Sequence, residues 1–491
     1  MISDCDTIGA ISSSFHYTAS VEEATAMAVK AGGDINCGPE YSQLVNATKH
    51  GFISEAELDV SVRRLMRRRM QTGDLDALGP DGKQQTPYAK IPTMQIDTPE
   101  HKGVAHKIVQ ESIVMLTNGQ TAAQQPVLPM DATKLKSVLV VGPTSDDITV
   151  QAHTYHGTPS KWITVLDGIE ATLQNIAPSV KVTYMEGCDR ESNGPTAKKN
   201  FTQTVAAVAH ADAVIFVGGL QANMEEEGTD RVSDMGHPGV QLDLIKALHA
   251  AGKPLVVVTV SGGPVAEPFL ADPGTQNTAW LWLSYFGQDG TGVAEVIFGQ
   301  YSPSGRTPFS VAMSSAQLGD ITDYSMTSSY GKTYRYNRYD NASAAPMFPF
   351  CHGLGFGNVS MSLSVISGLT AKMGDEVAVS VALARHDTLA LKQDHVVALF
   401  GAFLTPNETA SPVTAMPLRQ LLTFEKVSVA SKGGATVQLR VNVSDIPAVD
   451  RQPWPGVLKL WVGDGGGYGG APAPQRRLAT AGESASVKLV F

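Results

Sequence analysis

Six short runs, residues 113–117, 137–141, 180–184, 213–217, 255–260 and 279–284, are apolar or β-branched nearly throughout and alternate with helical stretches. A strand with one wet face alternates polar and apolar residues, whereas one apolar on both sides has to be covered on both. Helices such as residues 239–250 supply that cover, so the pattern predicts a mostly parallel sheet in a three-layer α/β sandwich. Two runs end in glycine, at Val141-Gly142-Pro143 and Val217-Gly218-Gly219. Neither continues into G-x-G-x-x-G or P-loop spacing, and ordinary strand-to-loop turns explain them better than a nucleotide site.

The first seventy residues read as strand, helix, strand, helix. Ile2-Ser3-Asp4-Cys5-Asp6 ends a short apolar run with a carboxylate. Ser20-Val21-Glu22-Glu23 has capping-box form, with Ala24, Met27, Ala28 and Ala31 as an apolar face and Gly32 as the stop. A second short strand is predicted at residues 34–38, and Ser54-Glu55-Ala56-Glu57 opens a second helix with Leu58, Val62 and Leu65 at helical spacing. This order matches the end of a (β/α)₈ barrel, in which catalytic side chains stand at the C-terminal ends of strands, where Asp4 falls. Arg63, Arg64, Arg67, Arg68 and Arg69 fit a solvated helix face better than an anionic-ligand patch.

Residues 72–98, rich in Gly, Pro, Asp and Gln, mark a linker. From about residue 350 the pattern turns all-β: residues 376–381, 395–400, 436–443 and 457–462 alternate or run apolar, predicting a β-sandwich whose last strand is residues 486–491. The glycine-rich stretch 463–470 before it reads as a low-complexity loop without chemistry. The division is therefore multidomain α/β plus all-β: barrel end at 1–75, linker at 76–98, α/β sandwich at 99–320, linker at 321–350 and β-sandwich at 351–491.

A length of 491 residues with 43% hydrophobic content accommodates several cores. The net charge of −10 and scattered basic residues argue against a nucleic-acid partner. No apolar run approaches the roughly 20 residues of a membrane span, so no membrane partner is expected. Cys5, Cys37, Cys188 and Cys351 lack C-x-x-C spacing, and no metal-ligand cluster is evident.

The densest acidic cluster is Glu225-Glu226-Glu227-Gly228-Thr229-Asp230-Arg231, after the apolar run 213–217. Adjacent glutamates raise one another's proton affinity, and one that protonates near working pH serves as a general acid. On composition alone a solvated acidic loop is the more economical reading. A carboxylate at a barrel strand end together with a second on the following domain meets the two-carboxylate requirement of glycoside hydrolysis.

These residues resemble glycoside hydrolase family 3, its β-xylosidase branch in particular. Ile2-Ser3-Asp4-Cys5 is similar to the family's nucleophile motif, with cysteine after the aspartate as is common in β-xylosidases, and Gly33-Asp34-Ile35-Asn36-Cys37-Gly38 to the motif at the last barrel strand. His156-Gly157-Thr158-Pro159-Ser160 resembles an N-G-T-P loop, and residues 225–231 an E-x-E-G-x-D-R pattern. Phe286-Gly287-Gln288-Asp289-Gly290, Ser304-Gly305-Arg306-Thr307-Pro308 and Pro349-Phe350-Cys351-His352-Gly353-Leu354 resemble further landmarks, and the terminal sandwich a fibronectin type III-like domain.

The resemblance implies a retaining exo-acting β-glycosidase on oligosaccharides, foremost a β-xylosidase, with β-glucosidase or α-L-arabinofuranosidase as alternatives within the class. It implies that Asp4 attacks the anomeric carbon and Glu225 is the acid/base, with Glu227 the competing choice, and that no cofactor or metal is required. Asp6 is read as a local hydrogen-bonding partner or a turn residue, Asp230 and Arg231 as a structural ion pair, and Tyr155 and His156 as surface residues. Cys5 and Cys37 end neighbouring strands on this reading, either bridged or as packed thiols. Family members carry most of a barrel before the nucleophile motif, so this chain alone is expected to leave a sheet edge open, associate and catalyse weakly. The contrasting expectation is a catalytically silent accessory protein that binds carbohydrate or protein. Periplasmic or secreted localisation follows from the resemblance only, and oligomeric state stays open.

Overall fold

The computed structural model describes all residues except 81, 83, 153–154, 227–230, 232–234, 339–343, 373, 388, 405–416, 446–455, 464–483 and 490–491. The described chain forms two compact units, Met1–Thr98 and Pro99–Phe491.

In the first unit, β1 (Ile2–Cys5) pairs in parallel with β2 (Ile35–Cys37), placing Cys5 opposite Cys37, and the two form a disulfide. Two helices follow each strand rather than the expected one: α1 (Thr7–Ser13) and α2 (Val21–Lys30) after β1, α3 (Leu44–Lys49) and α4 (Glu55–Gln71) after β2. The extra helices α1 and α3 are 7 and 6 residues long, too short to show a full amphipathic repeat in the sequence. The capping box at Ser54 and Glu57 forms in both directions. At Ser20 half of it forms: Ser20 accepts from the Glu23 N–H, but the Glu23 carboxylate accepts from Ala19 N–H at 3.1 Å. On α4 the inward stripe is Leu58, Ser61 and Leu65, while Val62 is 49% exposed. Ser61 earns its inward place by donating to Asp34 at 2.8 Å. The arginines of α4 pair with nearby acids, Arg63 with Asp59, Arg64 with Asp34 and Arg69 with Asp74, as a solvated face does.

The second unit begins with α5 (Pro99–Ser112) and contains a six-stranded sheet. Its strands and intervening helices are β3 (Val114–Asn118), β4 (Ser137–Val141), α6 (Val165–Ile176), β5 (Lys181–Met185), α7 (Phe201–Ala207), β6 (Ala213–Gly219), α8 (Gln241–Ala250), β7 (Leu255–Val260), α9 (Pro268–Ala271), β8 (Thr278–Leu283) and α10 (Thr291–Ile297). The spatial order is β3-β8-β7-β6-β4-β5, all parallel except β3, which runs antiparallel beside β8. Alternate residues serve opposite faces. Val138, Val140, Ile215, Val256, Val258 and Leu281 join α5, α6 and α10 in one core. Leu139, Val141, Phe216, Val257, Trp280 and Trp282 join the α8 residues Leu244, Ile245 and Leu248 in the other. Both cores are apolar, which explains why these strands lack polar alternation.

The glycines that end β4 and β6 are steric requirements. A Cβ on Gly142 (φ +118°) would lie 2.1 Å from the Val217 carbonyl oxygen, and one on Gly219 (φ +124°) 2.1 Å from that of Val260.

After α11 (Thr333–Tyr336), the remaining strands are β9 (Val359–Val365), β10 (Thr370–Ala371), β11 (Glu376–Arg385), β12 (Gln393–Leu404), β13 (Gln420–Val429), β14 (Gly434–Asn442), β15 (Gly456–Val462) and β16 (Ser484–Leu489). They form a five-stranded sheet, β10-β16-β15-β12-β13, and a three-stranded sheet, β14-β11-β9, with one apolar core containing Val379 and Val381 from β11, Leu399 from β12 and Leu458 and Leu460 from β15. The sequence reading missed β9, β10 and β13, and Val443 ends in a 3₁₀ turn rather than a strand. Residues 464–470 of the glycine-rich stretch lie outside the described residues. The segment before β9 packs on the larger sheet: Tyr334 stacks on Phe350 at 4.1 Å, and both meet Phe400 edge-on. Arg419 donates to the Tyr334 and Asn337 carbonyls at 2.9 and 2.7 Å.

Candidate active site

Asp4 is the last residue but one of β1, exposed, with Oδ1 accepting from Cys5 N–H at 2.8 Å. The strand is fastened beside it. Ser3 Oγ donates to Asn36 Oδ1 at 3.0 Å and accepts from Cys37 N–H at 3.1 Å, and Asn36 Nδ2 donates to Glu40 Oε2 at 2.7 Å. Asp6 is a turn residue: it takes φ 57° before α1, makes no side-chain cap, and donates its N–H to Cys37 O at 2.8 Å.

In the second unit the strands β6, β7 and β8 deliver a second group of residues at their C-terminal ends. Glu225 follows β6 after one 3₁₀ turn, and its carboxylate meets three donors. Oε1 accepts the Gly262 N–H at 2.6 Å and the Tyr285 hydroxyl; Oε2 accepts the Gly263 N–H at 2.9 Å. The glycine pair is itself fixed, because Trp282 Nε1 donates to Ser261 Oγ at 2.8 Å and Ser261 Oγ donates to the Gly263 carbonyl at 2.7 Å. Burial, then the hydrogen bond to Glu225 and its charge, hold Tyr285 far above the ordinary phenol range.

The chain returns from the acidic segment at Met235 to His237. The Met235 carbonyl accepts from Ala266 N–H at 2.7 Å, and Arg231 donates to the Gly236 carbonyl. His237 is fully buried between Glu267, 3.3 Å from Nδ1, and Thr259 Oγ1, 2.9 Å from Nε2. Trp280 Nε1 donates to the same hydroxyl at 2.8 Å. With Glu267 accepting from Nδ1–H, the Thr259 hydroxyl donates to Nε2 and accepts from Trp280, so both imidazole nitrogens and the Thr259 hydroxyl have partners. Glu225 and His237 are thus both held by β7 and its following turn, and Glu225 by the turn after β8 as well.

Of the residues singled out from the sequence, Asp4 belongs to the first unit and Glu225 to the second. Glu227 and Asp230 lie outside the described residues. Tyr155 is 91% exposed, and His156 is exposed with its ring edge-on to Trp162. The sequence reading did not single out Tyr285, Gly262, Gly263, His237 or Glu267 for this site. Asp289, noted only as part of a motif, binds His106 on α5. Among the described residues no group of three or more His, Cys, Asp or Glu side chains is placed to hold a metal, and no helix is long and apolar enough to cross a membrane.

Residues 113–356 match the glycosyl hydrolase family 3 C-terminal domain. A β-xylosidase/α-L-arabinofuranosidase of Medicago sativa subsp. varia is 29% identical over 94% of this chain and 59% of its own length. A probable exo-1,4-β-xylosidase of Aspergillus flavus is 31% identical over 94% of this chain and 57% of its own. The chain therefore spans less than two thirds of the relatives it matches. Among solved structures, a GH3 exo-β-xylosidase in complex with a xylobiose aziridine activity-based probe covers the whole chain at TM-score 0.81 and 23% identity, with 61% of that protein covered. A β-glucosidase from Erythrobacter marinus does so at 0.78 and 22%, with 63% of it covered. The matched domain contains the six-stranded sheet that carries Glu225 and Tyr285, so residues 113–356 are a glycosyl hydrolase family 3 C-terminal domain, and the chain as a whole is similar to proteins named as β-xylosidases.

Proposed function

We propose that this chain supplies the two working carboxylates of a retaining, exo-acting β-glycosidase that releases terminal β-xylosyl residues from oligosaccharides. The observation that carries the reading is the Glu225 carboxylate, set in place by three donors at the C-terminal edge of the sheet in a chain whose relatives are named as xylosidases. Asp4 is the nucleophile and Glu225 the acid/base. The Asp4 carboxylate attacks the anomeric carbon as the glycosidic bond breaks, and Glu225 passes its proton to the leaving oxygen. Glu225, now ionised, takes a proton from water, which attacks the same carbon and frees Asp4.

In this proposal residues 1–75 are the end of a (β/α)₈ barrel, supported by two parallel strands each followed by helices. Residues 99–320 are the α/β sandwich domain and 351–491 a fibronectin type III-like sandwich, with 76–98 and 321–350 joining them.

The test is hydrolysis of an aryl β-xyloside beside the β-glucoside and α-L-arabinofuranoside. It uses the 491-residue chain alone and joined to the part of a β-xylosidase relative that lies outside the match. Asp4→Ala abolishes turnover on this reading, and the first sugar released keeps the β-anomer. Undiminished activity in Asp4→Ala, or an inverted product, removes the mechanism.

A further inference from the structure

The three donors around Glu225 are distributed unequally. Oε1 takes two, from Gly262 N–H and the Tyr285 hydroxyl, and Oε2 takes one, from Gly263 N–H. A carboxylate oxygen has two lone pairs, so among the described residues Oε1 is filled while Oε2 keeps one pair open. We propose that Tyr285 is a positioning residue for the glycosidase reaction: with Gly262 it saturates Oε1 of Glu225, so that the transferable proton is carried on Oε2.

The clamp is rigid by construction. Its two amides belong to a turn held by the Trp282-Ser261-Gly263 bond series, and Tyr285 follows β8 directly, two residues after Leu283. Ser261 is fully buried and Trp282 nearly so. Donors fixed in this way do not have to reorganise when charge appears on the carboxylate, which is the condition for electrostatic preorganisation. Among the described residues, the charged groups around the clamp are Arg231, whose cation acts on Tyr285, and exposed Glu226, next in the chain. The proposal rests on the reading of Glu225 as the acid/base, and its test separates the two.

The full chain is labelled with ¹³C at the glutamate carboxyls, and the Glu225 signal is assigned by its loss in Glu225→Gln. In Tyr285→Phe the ring and its packing remain while one donor is lost, and the Glu225 carboxyl signal moves away from its wild-type position; in the preparation that turns over aryl xylosides, kcat falls more on a poor leaving group than on dinitrophenolate while KM is kept, a split that a merely structural role does not produce. Gly262→Ala, whose new methyl would stand 3.0 Å from Tyr285 Cε2, moves the signal as well and carries the test if Tyr285→Phe fails to fold. Superimposable carboxyl signals of wild type and the folded variants overturn the clamp. The acid/base reading is judged separately in the same preparation. Glu225→Ala should lose at least about tenfold more rate on a poor leaving group than on dinitrophenolate and regain rate with azide. Equal losses on both overturn that reading whatever the carboxyl signals show.

Discussion

His106 Nδ1 on α5 lies 2.7 Å from Asp289 Oδ2, and its other nitrogen lies 3.0 Å from Glu295 Oε2 on α10. One imidazole thus ties the first helix of the second unit to both the turn after β8 and the helix beyond it. The hydrogen bond to Asp289, then that to Glu295, and the charges of both push His106 up to about 10 against the opposing effect of burial. Burial works against the ionised forms of Asp289 and Glu295, yet their bonds from His106 keep both below the ordinary carboxylate range.

The sign of the linkage follows. A histidine whose proton is held more tightly in the folded state adds stability that is complete below the unfolded value of about 6.5 and disappears as pH rises through about 10. His106→Gln is expected to lose about 2 kcal/mol at pH 6, a figure reduced for partial solvent screening, and distinctly less near pH 10. Urea unfolding at the two pH values checks this, and a penalty independent of pH rejects it.

The disulfide between Cys5 and Cys37 closes a sequence separation of 32 residues. Chain entropy assigns such a bridge about 3–4 kcal/mol. Dithiothreitol should therefore bring the wild type down to the stability of the Cys5→Ser/Cys37→Ser double variant and leave that variant unmoved. If reductant destabilises both equally, the bridge is not the source.

The His237 and Glu267 pair is buried, with side chains 0% and 4% exposed. Glu267→Leu leaves the imidazole without its carboxylate partner and is predicted to cost about 3 kcal/mol. Replacement by glutamine, which can still accept from Nδ1–H, should cost less. Denaturant midpoints order the two variants, and equal penalties would mean that the packing of residue 267, not its bond, carries the effect.

Gly219→Ala places a methyl 2.1 Å from the Val260 carbonyl at a backbone φ of +124°. Because the obstacle is backbone, the substitution is expected to destabilise by at least about 2 kcal/mol. Gly252→Ala, which has a positive φ but nothing within 4 Å, serves as the control for conformational strain alone.

Where a single segment carries enough information, the sequence was readable. Residues 137–141 and 255–260 are β4 and β7 to the residue, because strands buried on both faces need no partner's pattern to be recognised. By contrast, β13 (QLLTFEKVSV) mixes exposed Phe424 with charged Glu425 and Lys426 and reads as no clean alternation. Val62 has the spacing of an inward residue, but Asp34, a residue of the neighbouring loop, draws Ser61 inward instead. The bridge was one of two readings, since proximity of Cys5 to Cys37 depends on strand pairing. The partners of Glu225 are 37, 38 and 60 residues away, and no local motif announces Gly262, Gly263 or Tyr285.

The anchoring of Glu225 and His237 also sets how far the number of residues between them can change. Once the ends are fixed by Glu225 on one side and His237 on the other, the entropy of closing the intervening chain grows only logarithmically, about 0.6 kcal/mol for each doubling of length. Residues can be inserted or deleted there at small thermodynamic cost while the two anchors stay on the same strand ends. The placement of the Glu225 carboxylate and the number of residues between the two anchors are thereby free to change independently.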